Sequence, residues 1–302
     1  MTTIDADVVV AARSARLARS AHRSFIRRFL EQRVAVAAAA VLFVIVLIAA
    51  FAGVLAPHSP NAQNLRLVLK PAGTPGHLLG TDNLGRDVLS RLMYGARISL
   101  VASAQAVGVG VALGFLPGLL AGYLGGKIDW IVMRIIEAIM AFPPIILAIA
   151  VVAGLGPGLT NAMIAVGIVF APRIARMTRD ATLGVREETF VEAARSMGLG
   201  RATILRRHVV PHILSPLIVT VTILAGMAMI VEAGLSFVGL GAIPPESSWG
   251  TMLSGSIRFT TNSPLLIVWP GLCIVVTVVC LNLLGDGIKD SVGREARKKV
   301  GR

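Results

Sequence analysis

The residue types that carry covalent or metal chemistry are present in this chain but not in working patterns. Its five histidines, His22, His58, His77, His208 and His212, supply no His-Glu-x-x-His motif, and no serine or cysteine nucleophile has an evident base beside it. Gly125-Gly126-Lys127 looks like the end of a phosphate loop. However, Ala121 stands where that motif needs its first glycine, and Ile128 where it needs Ser or Thr. No other nucleotide-binding loop occurs, so any ATP must be hydrolysed by a partner. Cys273 and Cys280 lie on one helix face of a single apolar run and cannot bridge each other, which makes them packing residues. The stretch with the most organised polar pattern is Arg173 to Pro211, which holds eight arginines and no lysine. Thr189-Phe190-Val191-Glu192 reads as a capping box at a helix start. Phe190, Ala193, Ala194 and Met197 fall on one stripe at helical spacing, and Gly198 supplies a residue able to turn left-handed. Gly200 opens a second basic helical stretch, Arg201 to His208, with Pro211 as its expected stop. The spacing predicts a helix-turn-helix knuckle with a small-residue face and positive charge around it.

Two apolar spans must hold that knuckle, and composition places them in a membrane. Of 302 residues, 55% are hydrophobic and only 15% charged, against roughly a quarter charged in ordinary soluble domains. The net charge of +13 collects in flanks and loops beside apolar runs, so topology explains it better than nucleic-acid binding. Residues 1–33 form a basic tail with seven arginines. The run Val34 to Ala56 is long enough to cross a bilayer, which takes about 20 residues, and is read as an uncleaved first span. In the polar segment 57–97, Asp82 or Asn83 is expected to cap an amphipathic surface helix through Leu84, Val88 and Leu92 that ends at Gly95. Ile98 to Leu124 is a second span whose glycines permit close helix approach. Trp130 to Leu155 is a third, kinked at Pro143-Pro144, with Glu137 paired locally to Arg134. A short fourth span ends at Pro172. A fifth runs from about Ile213 to Val231 and ends at Glu232, and a sixth covers Leu265 to Leu284. The outer loop after the fifth span is apolar enough to fold back on the bundle. Of the Lys and Arg residues, 23 fall on the side of the tails and knuckle and six on the other. Both termini are therefore expected to be cytoplasmic.

The knuckle also carries a resemblance. Glu192-Ala193-Ala194, three residues, Gly198, nine residues, then His208-Val209-Val210-Pro211 resembles the loop of bacterial ABC importer permeases. There it runs Glu-Ala-Ala, three residues, Gly, nine residues, Ile, any residue, Leu-Pro. His208 stands at the Ile and Val210 at the Leu; peptide-importer permeases often end the motif in His-Ile-Leu-Pro. Leu79-Gly80-Thr81-Asp82, Gly85-Arg86-Asp87 and Gly95 to Leu100 resemble one of the two permease types of dipeptide, oligopeptide and nickel importers. Glu232 to Gly241 and Pro244 to Gly250 are similar to the same family, and the likeness covers roughly residues 25 to 295.

The resemblance implies an all-α membrane protein with six transmembrane helices and a cytoplasmic coupling helix between helices four and five. It implies a non-catalytic permease of a bacterial inner-membrane importer for di- or oligopeptides, with nickel or another small solute as the alternative. A self-contained secondary transporter would instead show inverted repeats and charged pairs at mid-membrane. The coupling residues implied are Thr189, Phe190, Glu192, Ala193, Ala194, Met197, Gly198, Gly200 and Pro211. Glu232, Phe237, Asp82 and Arg86 are the residues expected at the gate or along the substrate path. The implied partners are a second homologous permease subunit, two ATP-binding subunits, an extracytoplasmic substrate-binding protein and the lipid bilayer. The chain itself would bind no cofactor, ATP and Mg being held by the ATPase partners. The expected divisions are 1–33, 34–97, 98–288 with the coupling loop at 173–211, and 289–302.

Overall fold

A computed structural model describes residues 27–300 except Pro244, with side chains through Ser291. The expected N-terminal tail therefore lies, up to residue 26, outside the described residues. Helix α1 (Arg33–Ala50) has a mean hydropathy of 2.7 and no side-chain cap. Its composition is what makes it helical, because a segment in lipid must satisfy its backbone internally. After a break at Phe51, α2 (Ala52–Leu55) completes the expected first span.

The polar segment that follows has little regular structure, and the surface helix expected from Asp82 to Gly95 does not form there. Gly85 has a φ of +69°, and a Cβ at this position would overlap the Asn64 carbonyl, so the chain must turn at this point. Asp82 caps that turn, accepting from the amides of Leu84 (2.8 Å) and Arg86 (3.0 Å). The helix begins only at α3 (Val88–Leu124), whose N-cap Asp87 accepts from the Ser90 amide at 2.8 Å. Nor does it stop at Gly95. A Cβ there would lie 3.1 Å from the Trp249 ring, so this glycine admits a neighbour and the helix runs on as the second span. The expected boundary between 97 and 98 thus falls inside one helix.

Helix α4 (Gly126–Met140) and α5 (Pro144–Leu155) meet at 91°, a far sharper break than the kink expected. Pro144 cannot continue the hydrogen-bond ladder of the preceding turn, and it pushes Pro143 into an extended conformation (ψ 130°). The Arg134–Glu137 pair forms on exposed α4 at 3.2 Å. Helix α6 (Leu159–Arg186) does not end at Pro172, which is buried inside it, and so carries four of the arginines assigned to the polar stretch.

The seam between α3 and α6 is built from small residues. Gly110, Gly114, Gly118 and Gly122 recur every four positions on one face of α3. Cβ atoms at 114 and 118 would overlap the carbonyl oxygens of Ala171 and Ala175, and one at 122 would lie 2.6 Å from that of Arg179. Gly167 answers from α6, where a Cβ would lie 2.7 Å from the Ala106 oxygen.

Helix α7 (Thr189–Ser196), α8 (Arg201–Ile204) and a π turn (Leu205–Val209) lead into α9 (Val210–Phe237). Then α10 (Trp249–Ser256) folds back against α3, α9 and the last helix, as expected for the apolar outer loop. Helix α11 (Leu265–Val300) continues through the expected boundary at 288–289. Among the described residues there is no β-strand, and five helices are long and apolar enough to cross a membrane, or up to six if α4 and α5 count as one span. The all-α membrane fold is therefore as expected.

Gly118→Leu should lower stability by about 1–3 kcal/mol, since its side chain must displace backbone. Gly108→Leu, which faces open space on the same helix, should change little. Thermal unfolding of the two variants in nanodiscs is the check, and equal midpoints would show that the seam is not a tight contact.

Candidate functional site

The knuckle forms, but on a different register from the one its sequence predicts. The N-cap of α7 is Glu188, in extended conformation with no side-chain cap. Thr189 is the first helical residue, so the Thr189–Glu192 capping box is absent. The turn leaving α6 at Arg186 and Glu187, closed by the Glu188 amide on the Val185 carbonyl (3.2 Å), places the extended residue one position earlier. The Val191 and Glu192 amides then reach the Glu188 carbonyl.

The buried stripe is Val191 and Ala194, seated on Leu119, Tyr123, Ile204, Val209 and Ile213. Of the four stripe residues expected, only Ala194 is buried. Phe190 is half-buried and stacks on His212, with ring centroids 4.8 Å apart. Ala193 and Met197 face outward, Met197 at 73% exposure. A stripe through 190, 193, 194 and 197 and one through 191 and 194 both have helical spacing, and the floor beneath α7 selects the second.

Gly198 meets its expectation, with φ +78°. Its amide reaches Arg195 and that of Leu199 reaches Ala194, closing both bonds of a Schellman turn. Apart from its chain neighbours, no described atom lies within 4 Å of the point a Cβ would occupy. Gly200 caps α8 in extended conformation. Pro211 stops nothing: it sits at the start of α9, after the wider π turn has already loosened the ladder ahead of its missing N–H. The result is an outward surface of Glu192, Ala193, Met197 and Gly198. Beside it lies a cavity of about 500 Å³ lined by Arg186, Arg195 and Arg201.

At the other end of α3 the expected path residues are tied into this chain's own contacts. Asp82 and Arg86 pair at 2.7 Å, with side chains only 14% and 13% exposed, and Arg91 joins Asp82 at 3.5 Å. Asp82 and Arg86 lie ahead of α3 and not on the expected surface helix, while Arg91 reaches back to Asp82 from its first turn. Asp87, part of the Gly85-Arg86-Asp87 motif but not among the expected path residues, is fully buried and accepts from the Ser90 hydroxyl (2.7 Å) and the His77 ring (2.9 Å). Burial alone would raise its carboxyl, but the bonds from Ser90 and His77 and the proximity of His58 hold it below the usual carboxylate range.

Glu232 is not at the end of its helix, which runs on to Phe237, and only 1% of it is exposed. It accepts from the hydroxyls of Ser236 (2.8 Å) and Ser248 (2.6 Å). Ser248 is also the N-cap of α10, in a true capping box with Thr251 that a Ser-x-x-Thr spacing does not advertise. Trp249 beside it donates to the Leu92 carbonyl at 2.9 Å. Phe237, by contrast, is exposed.

These placements can be set beside known proteins. Residues 114–298 match the family described as binding-protein-dependent transport system inner membrane component. Residues 20–72 match the N-terminal TM domain of oligopeptide transport permease C. The chain is 43% identical over 274 residues to the glutathione transport system permease protein GsiD of Pectobacterium atrosepticum, covering 91% of each chain. It is also 43% identical to the protein of that name in Escherichia coli, covering 91% of this chain and 90% of the other. In fold it is similar to a chain of the inward-facing MetNI methionine ABC transporter, with a TM-score of 0.56 at 22% identity, covering 67% of this chain and 97% of that one. Sequence and fold agree, and the chain belongs to the binding-protein-dependent transport system inner membrane components, as a non-catalytic permease subunit of an ABC transporter.

Proposed function

We propose that this permease forms half of a translocation pathway for short peptides and is driven through the knuckle of α7 by a separate ATPase subunit. One observation carries the reading. Glu192, Ala193, Met197 and the Gly198 turn stand free on the surface, while Val191 and Ala194 bolt the same helix to the ends of α3 and α9. A helix gripped on one side by the bundle and bare on the other can transmit a push from a cleft that receives it. Its bare face combines a flexible methionine, an alanine small enough for close approach and a fixed turn.

The full assembly in this reading has a second permease subunit, two ATPase subunits that hold ATP and Mg, and an external binding protein that delivers substrate. Both termini are cytoplasmic, as the Lys and Arg asymmetry favours. The substrate class rests on the glutathione permeases at 43% identity, glutathione being itself a short peptide. Glu232 bears on the outer gate only indirectly, by holding α10 in place through Ser248. Uptake of labelled dipeptides, glutathione and nickel by the complete complex decides among substrates. Transport of nickel alone would replace the peptide reading.

Gly198→Val should leave the chain in the membrane, because no described group crowds the site, yet strain the positive-φ turn and add bulk at the contact. Glu192→Lys places a cation in the first turn of α7 at a helix cost of only about 0.3–1 kcal/mol. Both should cut uptake at least tenfold with normal membrane levels, by weakening ATPase co-purification or uncoupling hydrolysis. Normal uptake in both would return the knuckle to an ordinary loop. For topology, Ser59→Cys should react with an impermeant thiol reagent in intact cells and Ser14→Cys should not, in a background lacking Cys273 and Cys280; the reverse labelling would invert the orientation.

A further inference from the structure

We infer that His58, His77 and Asp87 form a binding site for one divalent transition-metal ion, which clamps the polar segment between α2 and α3 onto the first turn of α3. His58 follows α2 closely, His77 lies in the middle of the segment, and Asp87 is the N-cap of α3. One ligand atom from each lies within 4.8 Å of the others. His77 Nδ1 is 2.9 Å from Asp87 Oδ1, and His58 Nδ1 is 4.0 Å from Asp87 Oδ2. Bonds of about 2.0–2.2 Å to nitrogen and oxygen place neighbouring ligand atoms roughly 3–3.5 Å apart around a tetrahedral ion. The three residues bracket that spacing, and the adjustment falls on His58, whose side chain is 40% exposed.

A plain hydrogen-bond cluster accounts for His77 but not for His58. At 4.0 Å the His58 nitrogen is too far to bond the carboxylate, yet its ring stacks on that of His77, centroids 4.7 Å apart, with both nitrogens towards one acid. A shared cation uses both lone pairs and the carboxylate at once.

The support behind the ligands also fits a metal. Ser90 holds Asp87 Oδ2 through its amide (2.8 Å) and its hydroxyl (2.7 Å). The same hydroxyl accepts from the His58 amide at 3.1 Å, so one serine orients two of the three ligands. The exposed side at His58 leaves a position for water and a route of entry. Two imidazoles and one carboxylate suit Zn²⁺, Co²⁺ or Ni²⁺, whereas Ca²⁺ and Mg²⁺ ask for oxygen donors throughout. When the ion takes Nδ1 of His77, the proton shared with Asp87 leaves to solvent.

The site does not depend on the transport reading, and its test needs no transport. The full-length chain, carrying no polyhistidine tag and stripped with chelator, is placed in nanodiscs and titrated with Co²⁺ and then Zn²⁺ alone. Expected are one equivalent of Co²⁺ with the visible absorption of a low-coordinate site, displacement by Zn²⁺ but not by Ca²⁺, and a rise in unfolding temperature. His58→Ala should weaken binding at least tenfold and remove most of the metal-induced rise in unfolding temperature. Ser90→Ala should weaken it by about 10–100-fold. The double variant His208→Ala, His212→Ala should bind as the parent does. Absence of stoichiometric binding by the parent, or equal affinity in His58→Ala, would overturn the proposal even if His77→Ala failed to fold.

Discussion

Helices inside a bilayer gain little hydrophobic drive from packing together, so the close approach of α3 to α6 has to be supplied by shape. Four glycines at a spacing of four present bare backbone along α3, and α6 lays its own carbonyls into that groove. Both ends of the molecule are hung on this seam. At one end α3 starts from the buried cap Asp87 and passes under Trp249. At the other, Leu119 and Tyr123 form the floor on which Val191 and Ala194 sit. Because α6 leads directly into α7, the seam also sets where the knuckle emerges.

Polar groups inside the bundle follow the same economy of position. A carboxylate in a membrane span is costly unless it finds partners, and Glu232 finds two serine hydroxyls, one on its own helix and one at the head of α10. That second bond, the Trp249 ring on Leu92 and the Trp249 amide on the Ser99 hydroxyl (3.0 Å) dock a short helix too small to hold its place alone. Gly250 completes the contact, since a Cβ there would lie 2.9 Å from both carboxylate oxygens. In the segment between α2 and α3, Asp82 and Asp87 divide the work. The first closes a turn and pairs with two arginines, and the second starts a helix and collects two histidines.

The knuckle separates what these contacts hold from what they leave free. Its inner face is fully buried, while its outer face carries an exposed methionine and a turn with open space where a Gly198 side chain would begin. The arginines split accordingly. Arg186 is spent on the carbonyls of Gly122 and Tyr123 at the end of α3, and Arg179 on Asp129, whereas Arg195, Arg201, Arg206 and Arg207 remain exposed.

The sequence by itself determined the membrane class, the apolar spans, the glycine seam, the left-handed turn at Gly198 and the family likeness. Each of these depends on local composition or on the backbone freedom of single residues. The tertiary structure decided the ends of helices and the faces they bury. Asp82 and Asp87 are both acceptable caps, and only the crowding of Gly85 against Asn64 moves the start of α3 to Val88. Pro172 and Pro211 read as stops, yet a helix packed along its length can lose one hydrogen bond, and a π turn can absorb another. Two stripes on α7 share the helical period, and the floor built from α3 and α9 chooses between them. His58, His77 and Asp87 are brought together across an irregular segment, which no periodicity reports, because long-range contacts rather than local propensity fold it.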